Sequence, residues 1–307
     1  TTKRFLNILK DYSPYLEVFS IDECFLEMPR RDFKSASEVA LEIKRRIRSE
    51  IGEWITCSIG ISYNKLMAKL AGSLQKPDGL VVIPNQEEAI RVLDKIELDE
   101  ICGIGPRIKK RLNNMGIFNF HQLRKAPLEN LLDSFKSYGQ VVYNMARGID
   151  YSLVVPFYEK GEVKSVGHRY TIDYDTNDSE EIKQILLKLS EMVGRRLRTK
   201  NLMGRTIHCW YRKSDFEDSG MQITIPYTND GLEIFKGAWK IFQNIWNREK
   251  VRMIGASISN LKPTLPQTLS LLPETSKQET MLRAIDRINN KYGEFTLQRA
   301  VLLTSPK

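Results

Sequence analysis

Ser20-Ile21-Asp22-Glu23-Cys24-Phe25 sets two adjacent carboxylates between two apolar runs, Tyr15-Leu16-Glu17-Val18-Phe19 and Phe25-Leu26-Glu27-Met28. Both runs are rich in β-formers, which predicts a hairpin with the acidic pair at or near its tip. Successive residues on a regular strand point to opposite faces, so Asp22 and Glu23 serve one site only where the backbone turns or bulges between them. A tip supplies that turn, and two carboxylates held together repel unless a hard cation such as Mg²⁺ compensates them. A solvated acidic turn is the competing reading; the close neighbourhood of Ser20, Ile21 and Phe25 speaks against it.

With 307 residues, 41% of them hydrophobic, the chain has apolar material for two or three domains with separate cores. A formal net charge of +9 fits a polyanionic partner, whose counterions a cationic surface releases on binding. Cys24, Cys57, Cys102 and Cys209 stand far apart, with no C-x-x-C pair and no His at zinc-ligand spacing, so reduced buried thiols are expected. The sequence has no apolar run of about 18 residues and no basic-then-apolar leader, so no membrane partner and a cytoplasmic location are expected.

Residues 15–84 read strand, strand, helix, strand, helix, strand, an α/β layer. Within them, residues 36–51 carry Val39, Ile43, Ile47 and Ile51 at helical spacing with Ser35 or Ser37 as cap, and residues 55–62 read as a buried strand. Residues 1–10 read as the middle of a helix with no start signal, so sequence is expected to be missing before them. Residues 86–149 are helical in short pieces, punctuated by Gly103-Ile104-Gly105-Pro106 and Met115-Gly116. Residues 150–163 hold Pro156, Gly161 and few periodic apolar positions, a linker pattern. Then come a strand (163–175), a helix (179–199), a hairpin (205–213 and 222–227 around the polar loop 214–220), a helix (232–246) and a strand (251–261). That βαββαβ order predicts a split-βαβ sheet with two helices on one face, with Trp210, Trp239 and Trp246 as packing residues. A last helix, residues 280–292, is expected to turn Met281, Ile285, Ile288 and Asn289 inward.

Four further motifs carry chemistry. Gly60-Ile61-Ser62-Tyr63-Asn64-Lys65-Leu66-Met67-Ala68-Lys69-Leu70-Ala71 ends a strand where a backbone or phosphate can approach closely, and opens a helix whose free N–H groups favour an anion. Lys76 follows, just before a Pro77-Asp78-Gly79 turn, as a point charge suited to a triphosphate. Cys102-Gly103-Ile104-Gly105-Pro106-Arg107 is a helix-hairpin-helix pattern in which Gly103 and Gly105 permit a tight turn of outward N–H groups, with Arg107, Lys109, Lys110 and Arg111 downstream to hold a DNA phosphate without reading a base. His168 and Arg169 in Ser165-Val166-Gly167-His168-Arg169-Tyr170-Thr171, with Arg205 and Arg212, are read as lining a phosphate-tracking face. Pro266-Gln267-Thr268-Leu269-Ser270-Leu271-Leu272 resembles a bacterial sliding-clamp peptide, with Gln267, Leu269, Leu271 and Leu272 as anchors in a groove; a flexible apolar tail segment is the competing reading.

Residues 20–25 and 60–79 closely resemble the signatures of the Y-family, or translesion, DNA polymerases, in the bacterial polymerase IV/V-like branch, and the resemblance runs over most of residues 15–261. It implies an α+β multidomain fold: residues 1–85 as the C-terminal part of a palm, 86–150 as a helical thumb, 151–162 as a linker, 163–262 as a little finger with a βαββαβ sheet, and 263–307 as a tail holding a sliding-clamp peptide. It implies template-directed synthesis on primer-template DNA from dNTPs with two Mg²⁺ ions, in which Asp22 and Glu23 hold the metals, Lys76 the triphosphate, and Lys65 and Lys69 support the acidic site or the DNA. The family order places a palm strand and fingers before the Asp-Glu motif, so its first metal-binding aspartate, its sugar gate and its finger contacts have no position in this sequence. The resemblance therefore implies a piece of an active parent that binds DNA, polymerises poorly alone, and exposes a sheet edge with low solubility. Two other readings compete: a non-catalytic DNA- or clamp-binding relative, and a helix-hairpin-helix glycosylase or nuclease, which lacks a matching catalytic pair after Gly116.

Overall fold

In a computed structural model, which describes residues 1–28, 32–159, 161–264 and 273–303, the chain forms two units, Thr1–Lys160 and Gly161–Lys307. The first opens with α1 (Thr2–Lys10), β1 (Leu16–Val18), β2 (Cys24–Leu26), α2 (Phe33–Glu50), β3 (Ile59–Ser62), α3 (Lys65–Leu74) and β4 (Leu80–Ile83). β1 and β2 pair antiparallel with Leu16 opposite Leu26 and Val18 opposite Cys24, while β3 and β4 pair parallel around the α3 crossover. These are two separate two-stranded sheets, not the single layer that the element order suggests. α1, β1 and α2 share a core of Ile8, Leu9, Leu16, Val39, Ile43 and Ile47.

Two expected boundaries shift. α2 starts at Phe33, earlier than the apolar period indicates, because Asp32 is its cap: the carboxylate accepts from the Ser35 N–H at 2.7 Å, which makes Ser35 a first-turn residue and not the cap. β3 starts only at Ile59, because among the described residues no strand lies beside residues 55–58 to complete a ladder.

Five helices follow: α4 (Gln86–Leu93), α5 (Pro106–Asn114), α6 (Phe120–Lys125), α7 (Leu128–Phe135) and α8 (Ser137–Met145), with a 3₁₀ turn at Leu98–Glu100. Their core is continuous with that of α3 and β4: Met67, Leu70, Ala71 and Ile83 pack with Leu98, Leu112, Phe120, Leu131 and Val142. The residues expected to be a free linker are partly tied down. Along residues 150–157 the Val155 N–H donates to Glu17 Oε2 at 2.8 Å and the Phe157 N–H to the Leu16 carbonyl at 2.7 Å, laying the segment along the outer edge of β1.

The second unit runs β5 (Ser165–Thr176), α9 (Ser179–Thr199), β6 (Leu202–Lys213), β7 (Asp218–Thr228), α10 (Gly231–Ile245) and β8 (Val251–Ser259), with a short β9 (Lys262–Pro263) beside β6. The sheet order β5-β8-β6-β7 is antiparallel throughout, so each crossover helix joins two parallel strands with a third between them. Ile207, Cys209, Tyr211, Ile254, Ala256 and Ile258 face α9 and α10, burying Ile182, Leu186, Val193, Ile234 and Phe242 against them. β7 begins at Asp218, which shortens the expected loop, and Trp210 is not a core residue. It lies on the helix-free face, where the added Cβ of an alanine at Gly255 would meet its indole Nε1 at 2.8 Å.

Helix α11 (Pro273–Tyr292) packs on α9. Its inner face is Leu282, Ile285, Asp286 and Asn289, while Met281 and Ile288, expected inward, are exposed. The rotation is set by polar contacts: Asp286 takes Arg198 in two bonds of 2.6 and 2.8 Å, and Asn289 bonds the backbone of Leu297 in both directions.

Candidate active site

The hairpin tip is built by Ser20. Its Oγ donates to Asp22 Oδ1 at 2.6 Å and accepts from the Glu23 N–H at 3.1 Å, while the N–H groups of Phe19 and Ser20 both donate to the Glu23 carbonyl at 3.0 Å. This loop breaks strand alternation between the two acids, the condition for their serving one site. Phe19 and Phe25 pack edge to face beneath it, with centroids 5.4 Å apart. Cys24 is half-buried behind the tip; burial, then Cys57 and Glu23, push its thiol up to about 12.

α3 presents two lysines to the hairpin. Lys69 Nζ lies 2.7 Å from both Glu23 oxygens and 4.7 Å from the centre of the Phe19 ring. Lys65 Nζ takes both oxygens of Glu17, at 2.7 and 2.8 Å, and the Leu153 carbonyl at 3.1 Å. Its side chain is 15% exposed and that of Glu17 16%, so Lys65 is a strut between α3, β1 and the following segment.

The α3 start also differs from the anion site that its motif suggests. The Leu66 N–H is taken by Asp150 Oδ2 at 3.1 Å and the Met67 N–H by Asn64 Oδ1 at 2.9 Å, so protein side chains occupy those donors. Gly60 serves the helix itself: a Cβ there would lie 2.0 Å from the Ala68 carbonyl oxygen and 2.2 Å from the Gly72 nitrogen. Glu23, Lys69 and exposed Lys76 line a cavity of about 1030 Å³, walled by apolar residues of the hairpin, α2 and β3 such as Leu26, Val39 and Ile61. Asp22 is exposed on the tip beside Glu23.

Two neighbouring exposed carboxylates suit a hard divalent cation that keeps water and substrate oxygens in its shell. Among the described residues no group of three or more His, Cys, Asp or Glu side chains is gathered to hold a metal.

In the hairpin before α5, Gly103 adopts φ +107° under the Tyr138 hydroxyl, which donates to its carbonyl at 2.9 Å, and a Cβ there would meet Met145 at 2.6 Å. A Cβ on Gly105 would meet nothing within 4 Å. Among the described residues no partner is found for the Gly105 and Arg107 N–H groups, and Arg107 is exposed, so this face is open to a phosphate. Lys109 is turned away from it, toward Asp99 at 2.8 Å and Glu97 at 3.1 Å; the Asp99 bond, then Glu97, raise its pKa.

In the second unit Arg169 and Arg205 are exposed, Arg169 on the helix-free face opposite Gly255 and Arg205 near the Tyr227 ring. Arg212 is closed into a two-bond pair with Asp218 at 2.7 and 3.0 Å. His168 stands opposite core Ala256 on the helix-covered side, half buried, with its pKa lowered by burial and Arg196 against Glu294. Neither is presented as a phosphate contact, because strand parity and local pairing decide what a basic residue in a β-strand faces. Gln267, Leu269, Leu271 and Leu272 lie outside the described residues.

Residues 1–73 match the model of the impB/mucB/samB family, residues 99–150 that of the DNA polymerase-iota thumb domain, and residues 163–271 that of the impB/mucB/samB family C-terminal domain. The chain is 37% identical to a DNA polymerase IV of Moorella thermoacetica over 305 residues, which is 98% of this chain and 75% of the relative. It is 35% identical to a DNA polymerase IV of Pelotomaculum thermopropionicum over the same shares. A solved Y-family DNA polymerase chimera, Dbh-Dpo4(243-245)-Dbh, superposes with a TM-score of 0.67 at 25% identity, over 84% of this chain and 74% of that one. The chain belongs to the Y-family of DNA polymerases, the impB/mucB/samB family, alongside the DNA polymerase IV proteins.

Proposed function

We propose that this protein carries out template-directed DNA synthesis across damaged DNA, as a DNA-directed DNA polymerase that transfers a nucleotidyl group from a dNTP to a primer 3′-hydroxyl. The observation that carries the reading is the Asp22–Glu23 tip facing α3 beside the cavity that Lys76 lines, in a chain with DNA polymerase IV relatives along almost its whole length. Asp22 and Glu23 would hold two Mg²⁺ ions, which when bound activate the primer oxygen and neutralise the leaving pyrophosphate. Lys69 compensates Glu23 and keeps its carboxylate oriented. Lys76, exposed and free to extend, binds the triphosphate as a point charge.

DNA is held on its backbone. The open N–H groups at Gly105 and Arg107 take one phosphate of a thumb-bound strand, and Arg169 and Arg205 add cationic contacts from the little finger. On this reading residues 1–85 are palm, 86–150 thumb, 151–162 linker and 163–262 little finger. The tail of residues 263–307 offers Gln267 and its leucines to a sliding clamp on sequence grounds. Four free cysteines fit the reducing cytoplasm.

The test is primer extension with Mg²⁺ by the protein, beside Asp22→Ala/Glu23→Ala. Loss of extension with retained primer-template binding is the expected result. Undiminished extension by the double variant overturns the metal assignment, and binding without extension by the unaltered protein replaces the polymerase reading with that of a DNA-binding relative.

A further inference from the structure

Lys44 is 9% exposed on α2, and its ammonium bonds the turn that follows Lys76. It donates to the Asp78 carbonyl, to the Gly79 carbonyl at 3.2 Å, and stands 3.2 Å from Asp78 Oδ1, a buried oxygen with no hydrogen bond of its own. Arg48, one turn along α2, takes the other oxygen of Asp78. From the opposite side Ser58 Oγ donates to the Gln75 carbonyl and accepts from the Gly79 N–H, both at 3.2 Å. Asp78 itself has φ +59°, and a Cβ on Gly79 would lie 1.9 Å from the Gln75 carbonyl oxygen. The backbone on both sides of Lys76 is thus fixed at four points, while the Lys76 side chain stays exposed at the cavity that Glu23 lines.

A buried ammonium is expensive, and an apolar side chain reaching from α2 would fill the same space at lower cost if filling were its only task. Holding a turn that carries a cation is a task that only a donor can perform. We propose that Lys44 is a positioning residue for polyphosphate binding: it clamps the Pro77-Asp78-Gly79 turn to α2, so that Lys76 meets the triphosphate from a preset backbone position. The inference rests on the assignment of the triphosphate to Lys76. A flexible Lys76 would have to be ordered at each binding event, and preorganisation removes that entropy.

The experiment is a double-mutant cycle on the full chain, titrated calorimetrically with inorganic tripolyphosphate in the presence of Mg²⁺. Lys76→Ala and Lys44→Met are each expected to weaken binding about tenfold, the double variant no further than Lys76→Ala alone, and Lys44→Arg is expected to restore most of the affinity. Lys44→Met weakening binding equally in the Lys76→Ala background overturns the proposal, since Lys44 would then act through general stability. Unchanged affinity in folded Lys44→Met also overturns it. Unchanged affinity in Lys76→Ala instead removes the triphosphate assignment, and the inference with it. If Lys44→Met does not fold, Asp78→Asn takes its place in the cycle, because it tolerates the positive φ and breaks both ion pairs at the turn, with the same outcomes read.

Discussion

Replacing Lys65 by Met separates a strut from a DNA contact. Lys65 and Glu17 bury most of both side chains, and the change leaves the Glu17 carboxylate with the Val155 N–H at 2.8 Å as its remaining close donor. Breaking a fully buried pair from one side costs about 3–5 kcal/mol, and with roughly one-sixth of each side chain exposed, ~2 kcal/mol is the expected loss. The loss falls on the β1–β2 hairpin and the segment stitched to it, so hydrogen exchange followed by mass spectrometry over residues 14–28 is the assay; ~2 kcal/mol corresponds to exchange about 30-fold faster. Glu17→Gln in the Lys65→Met background should recover much of the loss, because no unpaired charge is then left buried. Affinity for primer-template, measured against salt, should keep its slope. A slope smaller by about 0.9 with unchanged hairpin exchange would mean that Lys65 neutralises a phosphate, and would refute the strut.

Gly105→Ala should leave the melting temperature within a degree or so of wild type while weakening primer-template binding several-fold, since its Cβ points into open space that a phosphate would need; Gly103→Ala, at φ +107° and against Met145, should cost about 1–3 kcal/mol in thermal denaturation. Alkylation at pH 8 should modify exposed Cys102 first and leave Cys24 and Cys209 nearly untouched, because burial pushes both thiols up to about 12; peptide mass spectrometry gives the order, and early labelling of Cys24 would contradict its burial. His168 has a lowered pKa, so the unfolded chain protonates first and the second unit loses stability as pH falls through the ordinary histidine value of about 6.5. Its ring protons in NMR should titrate below that value, and His168→Gln should flatten the acid side of the stability profile; titration above about 6.5 would reverse the sign.

Local pattern carried the element order along both units, the hairpin tip and the hairpin before α5, because strand alternation, helical spacing and glycine pairs are properties of a few neighbouring residues. It did not carry what depends on a distant partner. Nothing near Lys65 announces Glu17, and nothing near Lys109 announces that Asp99 lies 2.8 Å away across the turn. His168 and Arg169 are neighbours of like chemistry, yet the pleat sends one toward α9 and the other to the open face. Lys44 gave no signal at all, since a lysine among Lys and Arg on an amphipathic helix reads as solvated until the turn of residues 77–79 is folded against it. Spacing alone was misleading for α11, where Met281 and Ile288 satisfy an apolar period that the Arg198–Asp286 pair overrules.

The stitching of residues 150–157 along β1 also sets the length of a leash. Counted from Asp150, 15 residue steps separate the helical region from Ser165 at the start of β5; counted from the anchored Phe157 N–H, eight remain. At ~3.5 Å per extended residue the greatest length of untied chain falls from ~52 to ~28 Å. A shorter leash between two DNA-binding modules raises the effective concentration of one for a duplex that the other holds, with no additional contact to DNA. Releasing the Val155 and Phe157 bonds would lengthen that leash, and avidity for DNA would fall with no side chain changed.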